Sequence, residues 1–264
     1  MTGIVWDEVG KRTYQSGVQK AVLYLPDGSA VPWNGIKSVT EKTVGADSSP
    51  LYYDGVKYSE STSIGYFAGT LKAYTYPDEF LPLEGVLCVG NGLYVTNQEP
   101  QRFGLSYQTN IGNDVDGANA GYKLHLLYNL TATPSDVVNN TSLGGDPIEF
   151  EWDLVSIPGV IPGYRPTAHL IFDSREMGEL LLSDIERTLY GDEFKDPRLP
   201  DISTLVAFTN NWVIIRITDN LDGTWTATGP DELFTMLDAT TFQIIQANAV
   251  YLDSDTYAIS DSTY

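Results

Sequence analysis

Residues 102–129 read RFGLSYQTNIGNDVDGANAGYKLHLLYN, two alternating apolar and polar segments on either side of a loop built almost wholly of Gly, Asn and Asp. Side chains alternate with a period of two along a strand, and Gly, Asn and Asp supply turn geometry, so the stretch predicts a long β-hairpin. Phe103, Leu105, Tyr107, Thr109 and Ile111 share one face of the first strand, opposite Gly104, Ser106, Gln108 and Asn110. On the return strand Tyr122, Leu124, Leu126, Tyr128 and Leu130 alternate with Lys123, His125 and Asn129. The expectation is an apolar face on a core and a polar face, Ser106, Gln108, Asn110, Lys123 and His125, turned to water.

Working outward, strand-like runs occupy 20–25 and 30–33 around Asp27-Gly28, 51–59 around Asp54-Gly55, then 64–76, 148–157 and 167–172. The segment 41–50 reads as a polar loop. One stretch breaks the β rule: in SREMGELLLSDIERTLY, 174–190, Met177, Leu180, Leu181, Ile185 and Leu189 fall near one helical face. Asp173 or Ser174 is placed to cap its start and Gly191 to end it.

After DPRLP at 196–200 the texture changes. Residues 200–264 hold nine acids against Arg216, a local net charge of −8. Runs at 212–218, 224–228, 241–245 and 249–259 read as short strands, with a turn at 221–223 and a helical turn at 231–237. The expected architecture is mainly β: an antiparallel β-sandwich or half-barrel flanked by one α-helix over 1–199, and a small β-rich appendage domain over 200–264.

The chain of 264 residues is long enough to bury a full core. Its solitary Cys88 forms no intramolecular disulfide and reads as a small buried hydrophobe. No run approaches the roughly 18 apolar residues of a spanning helix, and the start MTGIVWDEVGKR lacks a signal-peptide core. A soluble protein made in the cytoplasm is expected. Thirty-five acids against 15 bases give −20, a field that repels polyanions and argues against tight nucleic-acid binding.

A search for chemistry returns little. His125 and His169 sit mid-strand with no partner at ligand spacing, so neither a catalytic pair nor a zinc or iron site is expected. There is no G-x-S-x-G elbow and no phosphate loop. Aligning Gly117 or Gly223 with an EF-hand glycine puts Gly112 or Thr218 at the first ligand position and Lys123 or Gly229 at the bidentate one, which fails. Glu149, Glu151 and Asp153 line one strand face and are the only acid set that suits a glycosidase; a solvated or lumen-facing acidic face explains them as well. No catalytic, cofactor-binding or metal-ligating residue is assigned, and no enzyme activity is expected.

Four stretches carry a family resemblance: AVLYLPDGSAVPWNG (21–35), LKAYTYPDEF (71–80), the opening hairpin, and LYGDEFKDPRLP (189–200). In this order they resemble the major tail protein of long-tailed bacteriophages, the tail-tube subunit of siphophages. WVIIRITDNLDGTWTATGPD and FQIIQANAVYLDSDTYAI resemble the small C-terminal β module such subunits often carry. The resemblance implies a virion structural protein, made in the host cytoplasm, forming hexameric rings that stack into a tube, an acidic conduit for DNA ejection. It also implies partners: other copies of itself, the tape-measure protein, the tail tip and the tail terminator, with transient, non-adhesive contact with double-stranded DNA during ejection. The hairpin and 64–76 are then candidates for lumen strands, and 41–50 for inter-ring contact. The rival expectation is a virion-surface or tail-fibre module gripping carbohydrate through Trp212, Trp225 and nearby tyrosines.

Overall fold

In the computed structural model, residues 3–45, 48–137, 139 and 147–209 are described, together with the backbone alone at 61–62 and in six strands between 212 and 260. The chain divides into two compact units, Met1–Met177 and Gly178–Tyr264.

The first unit holds β1 (Tyr14–Tyr24), β2 (Ala30–Pro32), β3 (Ile36–Val44), β4 (Ser48–Tyr53), β5 (Val56–Thr62) and β6 (Tyr66–Ala73). It continues with β7 (Leu87–Gly90), β8 (Leu93–Val95), β9 (Phe103–Asn113), β10 (Gly117–Pro134), β11 (Phe150–Ser156) and β12 (His169–Asp173). Eight of these make one antiparallel sheet in the order β2-β1-β9-β10-β11-β6-β3, with β12 also on β10. β10 has two successive partners: residues 123–127 pair with β12 and 130–134 with β11. Between them the register shifts, and Asn129 takes a positive φ of 51° to make the bend. The sheet curls until β3 lies near β1, without a ladder between them. This is the mainly antiparallel, sandwich-like fold expected, short of a closed barrel.

The opening stretch is the hairpin β9–β10, but its register is not the one expected. Leu105 faces Leu127, Tyr107 faces His125 and Thr109 faces Lys123, whereas Ser106 faces Leu126 and Gln108 faces Leu124. Each face therefore mixes the apolar set of one strand with the polar set of the other. A one-residue offset exchanges every side chain on a strand, and the tip, closed by Asn113 accepting from the N–H groups of Val115 and Asp116, sets that offset. Neither face is a solvated one: Ser106, Gln108 and His125 are buried alongside Tyr107, Leu124 and Leu126.

Residues 41–50 also depart from expectation. Glu41 lies within β3 and Ser48 begins β4, so the loop shrinks to a few residues. β3 to β6 form one long hairpin arm: Val44 pairs with Tyr66 at its base, and Ser48 with Thr62 beyond it. Its tip is the expected Asp54-Gly55 turn, with φ of 49° and 77°, the geometry of a type I′ hairpin. The outer part, β4–β5, pairs with no third strand among the described residues and exposes Leu51, Tyr52, Tyr53, Val56 and Tyr58. A second two-stranded hairpin, β7–β8, exposes Leu87, Val89, Leu93, Tyr94 and Val95. Cys88, expected inside, is exposed on it.

The core gathers Leu23, Trp33, Leu71, Phe80, Phe103, Leu105, Tyr107, Leu130, Trp152 and Leu154. Phe80, held in a 3₁₀ turn behind Pro77, is its hub, with ring centroids 4.5 Å from Trp33, 5.2 Å from Trp152 and 5.5 Å from Phe103. Trp33, Phe80 and Phe103 come from three of the four stretches that carried the family resemblance. Those stretches, distant in sequence, are the walls of one aromatic cluster.

The second unit opens with α1 (Glu179–Tyr190) and α2 (Ile202–Thr209). The expected helix begins five residues late. Asp173 caps a short turn at the expected place, its carboxylate accepting from the Arg175 N–H and its carbonyl from the Glu176 and Met177 N–H groups, but extended Gly178 (φ −62°, ψ 135°) separates that turn from α1, and Ser174 Oγ accepts from the Tyr122 N–H. Gly191 ends it as expected, at φ 73°. α2 was not anticipated; Asp201 caps it by accepting from the Ser203 N–H. The unit then carries β13 (Trp212–Asp219), β14 (Trp225–Thr228), β15 (Phe234–Met236), β16 (Phe242–Ile244), β17 (Ala249–Tyr251) and β18 (Thr256–Ser260). They form a sheet β14-β13-β18-β17 and a separate pair β15-β16. The run 249–259 is thus two strands of a hairpin, and 234–236 is a strand where a helical turn was expected. The turn at 221–223 lies outside the described residues.

Candidate functional site

The most concentrated chemistry in the first unit is a cluster that sequence spacing concealed: Glu41 on β3, His125 on β10 and His169 on β12. The register that pairs Tyr107 with His125 puts His125 on the interior face, and β12 brings His169 onto the same face beside Leu127. Glu41 reaches them from β3, which the curl of the sheet carries across the interior. Each of the three offers a ligand atom, all within 4.8 Å of one another.

The contacts are close. His125 Nδ1 lies 3.1 Å from Glu41 Oε1 and 3.2 Å from His169 Nε2, and His169 Nδ1 lies 3.8 Å from Glu41 Oε2. Thr109 Oγ1 sits 3.2 Å from His125 Nε2, and the Tyr107 hydroxyl donates to Glu41 Oε1. Tyr107 stacks on His125 at 4.6 Å with planes 7° apart, fixing the imidazole from one side. His125 is buried, while the Glu41 side chain keeps 35% of its surface and opens the cluster to solvent.

The electrostatics follow. Hydrogen bonding from His125, then from Tyr107, outweighs burial and holds the Glu41 carboxyl down at about 2, so it is a carboxylate at neutral pH. Burial pushes His169 below the ordinary histidine range despite the attraction of Glu41 and so favours the neutral imidazole. Burial and the adjacent carboxylate push the Tyr107 phenol up, so it stays a donor. Two imidazoles and a carboxylate with converging atoms are the donor set of a divalent-metal site.

The acid row is placed differently from a glycosidase pair. Glu151 pairs with Lys72 at 2.6 Å, Glu149 with Lys37 and, at 3.9 Å, with Lys72, and Asp153 accepts from Thr70. These groups lie on the outward face of β11, β6 and β3, where Lys37, Lys42 and Lys72 balance Glu149, Glu151 and Asp153. At the hairpin tip, Asp114 accepts from the Gly10 N–H and lies 3.9 Å from Arg12. Trp212 and Trp225 stand in β13 and β14, whose side chains lie outside the described residues. Among the described residues, no helix is long and apolar enough to cross a membrane.

No protein-family model and no curated protein matches the chain. Among solved structures, a chain of the anti-feeding prophage baseplate is similar over 64% of this chain and 97% of its own, at 8% identity and TM-score 0.29. A chain of the extended sheath-tube complex of an extracellular contractile injection system is similar over 58% and 88%, at 15% identity and TM-score 0.27. A chain of the sheath/tube terminator of such a system gives 64% and 99%, at 14% and 0.26. TM-scores of this size assign neither a common fold nor a function.

The cluster left no mark in the sequence because its members are far apart along the chain.

Proposed function

We propose that the chain is a structural subunit of a phage tail, polymerising as stacked hexameric rings into a tail tube. The observation that carries this is the hairpin arm: β4–β5 extends beyond the sheet with two unpaired edges and five exposed apolar side chains. A two-stranded ribbon of this kind is marginal by itself, and an exposed apolar edge is a pairing surface. The β7–β8 hairpin offers a second such surface on the same unit. Both suit a subunit completed by its neighbours, and a contact that does not close on itself makes a filament. The sequence resemblance supplies the tube geometry and the partners: tape-measure protein, tail tip, tail terminator, and DNA in passage.

Within this reading the β9–β10 hairpin is interior scaffold, because both of its faces are buried. The candidate lumen wall becomes the outward face of β3, β6 and β11. Its acids and lysines neutralise one another, so it offers DNA no basic well; the repulsion that keeps DNA sliding comes from the net charge of −9 over residues 1–177, 11 bases against 20 acids. On the same resemblance, residues 200–264 are an accessory module.

Negative-stain microscopy of the purified full chain tests the assembly. Six-fold rings or tubes are expected, and Tyr53→Lys with Tyr58→Lys should give a folded chain that forms neither. A particle that stays monomeric at high concentration, above all one that binds cell-wall glycan, would overturn the reading.

A further inference from the structure

We infer that Glu41, His125 and His169 bind a divalent transition ion of the zinc class, which fastens β3 to β10 and β12 across the interior of the first unit. Ligands about 2.0–2.1 Å from zinc stand about 2.9 Å apart at right angles and about 3.4 Å apart at tetrahedral angles. The two separations from His125 Nδ1, 3.1 Å to Glu41 Oε1 and 3.2 Å to His169 Nε2, fall between those limits, and the third pair, Glu41 with His169, stands wider, 3.8 Å apart at Oε2 and Nδ1 and with all three ligand atoms within 4.8 Å, so an ion would draw these two side chains together.

The surrounding hydrogen bonds accommodate such an ion. A cation at the convergence point accepts all three lone pairs together. His125 Nε2–H is then free to donate to Thr109 Oγ1, and Tyr107 continues to donate to the ligating carboxylate. Hydrogen bonds of this kind, made by the ligands to groups behind them, are what orient a metal's ligands. One carboxylate and two neutral imidazoles give the site a net charge of −1, and the partly exposed Glu41 provides the entry path. Three protein ligands leave a further position for water. The inference stands on this geometry and not on the tail-tube reading.

The test uses the untagged full-length protein, stripped with chelator and titrated with zinc(II) alone by calorimetry. One equivalent per chain and a rise in the thermal midpoint are expected. Cobalt(II) should give visible absorption of the intensity typical of four- or five-coordinate nitrogen-containing sites. Glu41→Gln and His169→Gln, each checked by circular dichroism, should lose the stoichiometric uptake, while Glu149→Gln on the outward acid row keeps it. Absence of saturable zinc uptake by the wild-type chain would overturn the inference, as would uptake unchanged in both variants. If the variants do not fold, the wild-type cobalt spectrum decides: weak octahedral bands like those of the aqueous ion count against the site.

Discussion

At the scale of single residues, Glu84 shows how this core tolerates a carboxylate. Trp152, fully buried, donates its indole N–H to Glu84 Oε2, which satisfies a donor that would otherwise be costly to bury. Burial nevertheless pushes the Glu84 carboxyl above its ordinary value, with the Trp152 hydrogen bond only partly opposing it. A carboxyl whose folded pKa is raised contributes its full stability below the unfolded value of about 4.5 and loses it as pH rises through the folded value. Glu84→Gln keeps an acceptor for Trp152 and removes the charge. We expect it to be more stable than the wild type at pH 7, by less than about 1 kcal/mol because the carboxyl is partly solvated, with the difference vanishing below pH 4.5. Urea denaturation at the two pH values measures this.

At the scale of elements, Gly69 marks where the arm leaves the sheet. It pairs with Glu41 on β3 and Leu154 on β11, and a Cβ there would stand 2.3 Å from the Thr40 carbonyl oxygen. Gly69→Ala forces the two strands apart and is expected to cost about 1–3 kcal/mol by denaturant titration. The elements also show what the sequence allowed one to read. The turns at Asp27-Gly28 and Asp54-Gly55, the 102–129 hairpin and the Gly191 helix stop were legible, because each rests on local chemistry. The register of β9 on β10 was not, since alternation within a strand carries no information about the offset between two strands. The start of α1 falls later than its capping signal because the turn that Asp173 caps stops at extended Gly178. α2 carried its signal openly in Pro200-Asp201, a proline followed by a capping aspartate, and went unread under the β texture around it. The His125–His169 meeting required both the register and the β10–β12 pairing, neither of them local.

At the scale of the whole molecule, charge is unevenly divided: residues 178–264 carry 15 acids against 4 bases, a net −11 over fewer than half as many residues as the first unit. Copies that associate through apolar hairpins must overcome this repulsion. Screening shortens its range from about 30 Å at 0.01 M salt to about 8 Å at 0.15 M. Self-assembly followed by light scattering should therefore accelerate as salt rises from 0.01 to 0.15 M; a rate that falls over that range would show that attraction between opposite charges, not apolar contact, drives it.

The Glu41–His125–His169 meeting also has a place in time. Hairpins such as β9–β10 close over short loops, whereas Glu41 reaches the two histidines only after β11 and β6 have been laid between β10 and β3. Loop closure therefore costs this contact more entropy than it costs the hairpin, and the contact depends on a completed curl. The base of the arm is held independently of it, by the β3–β6 and β6–β11 ladders, so the surface proposed for pairing with other copies rests on those ladders and not on the cluster.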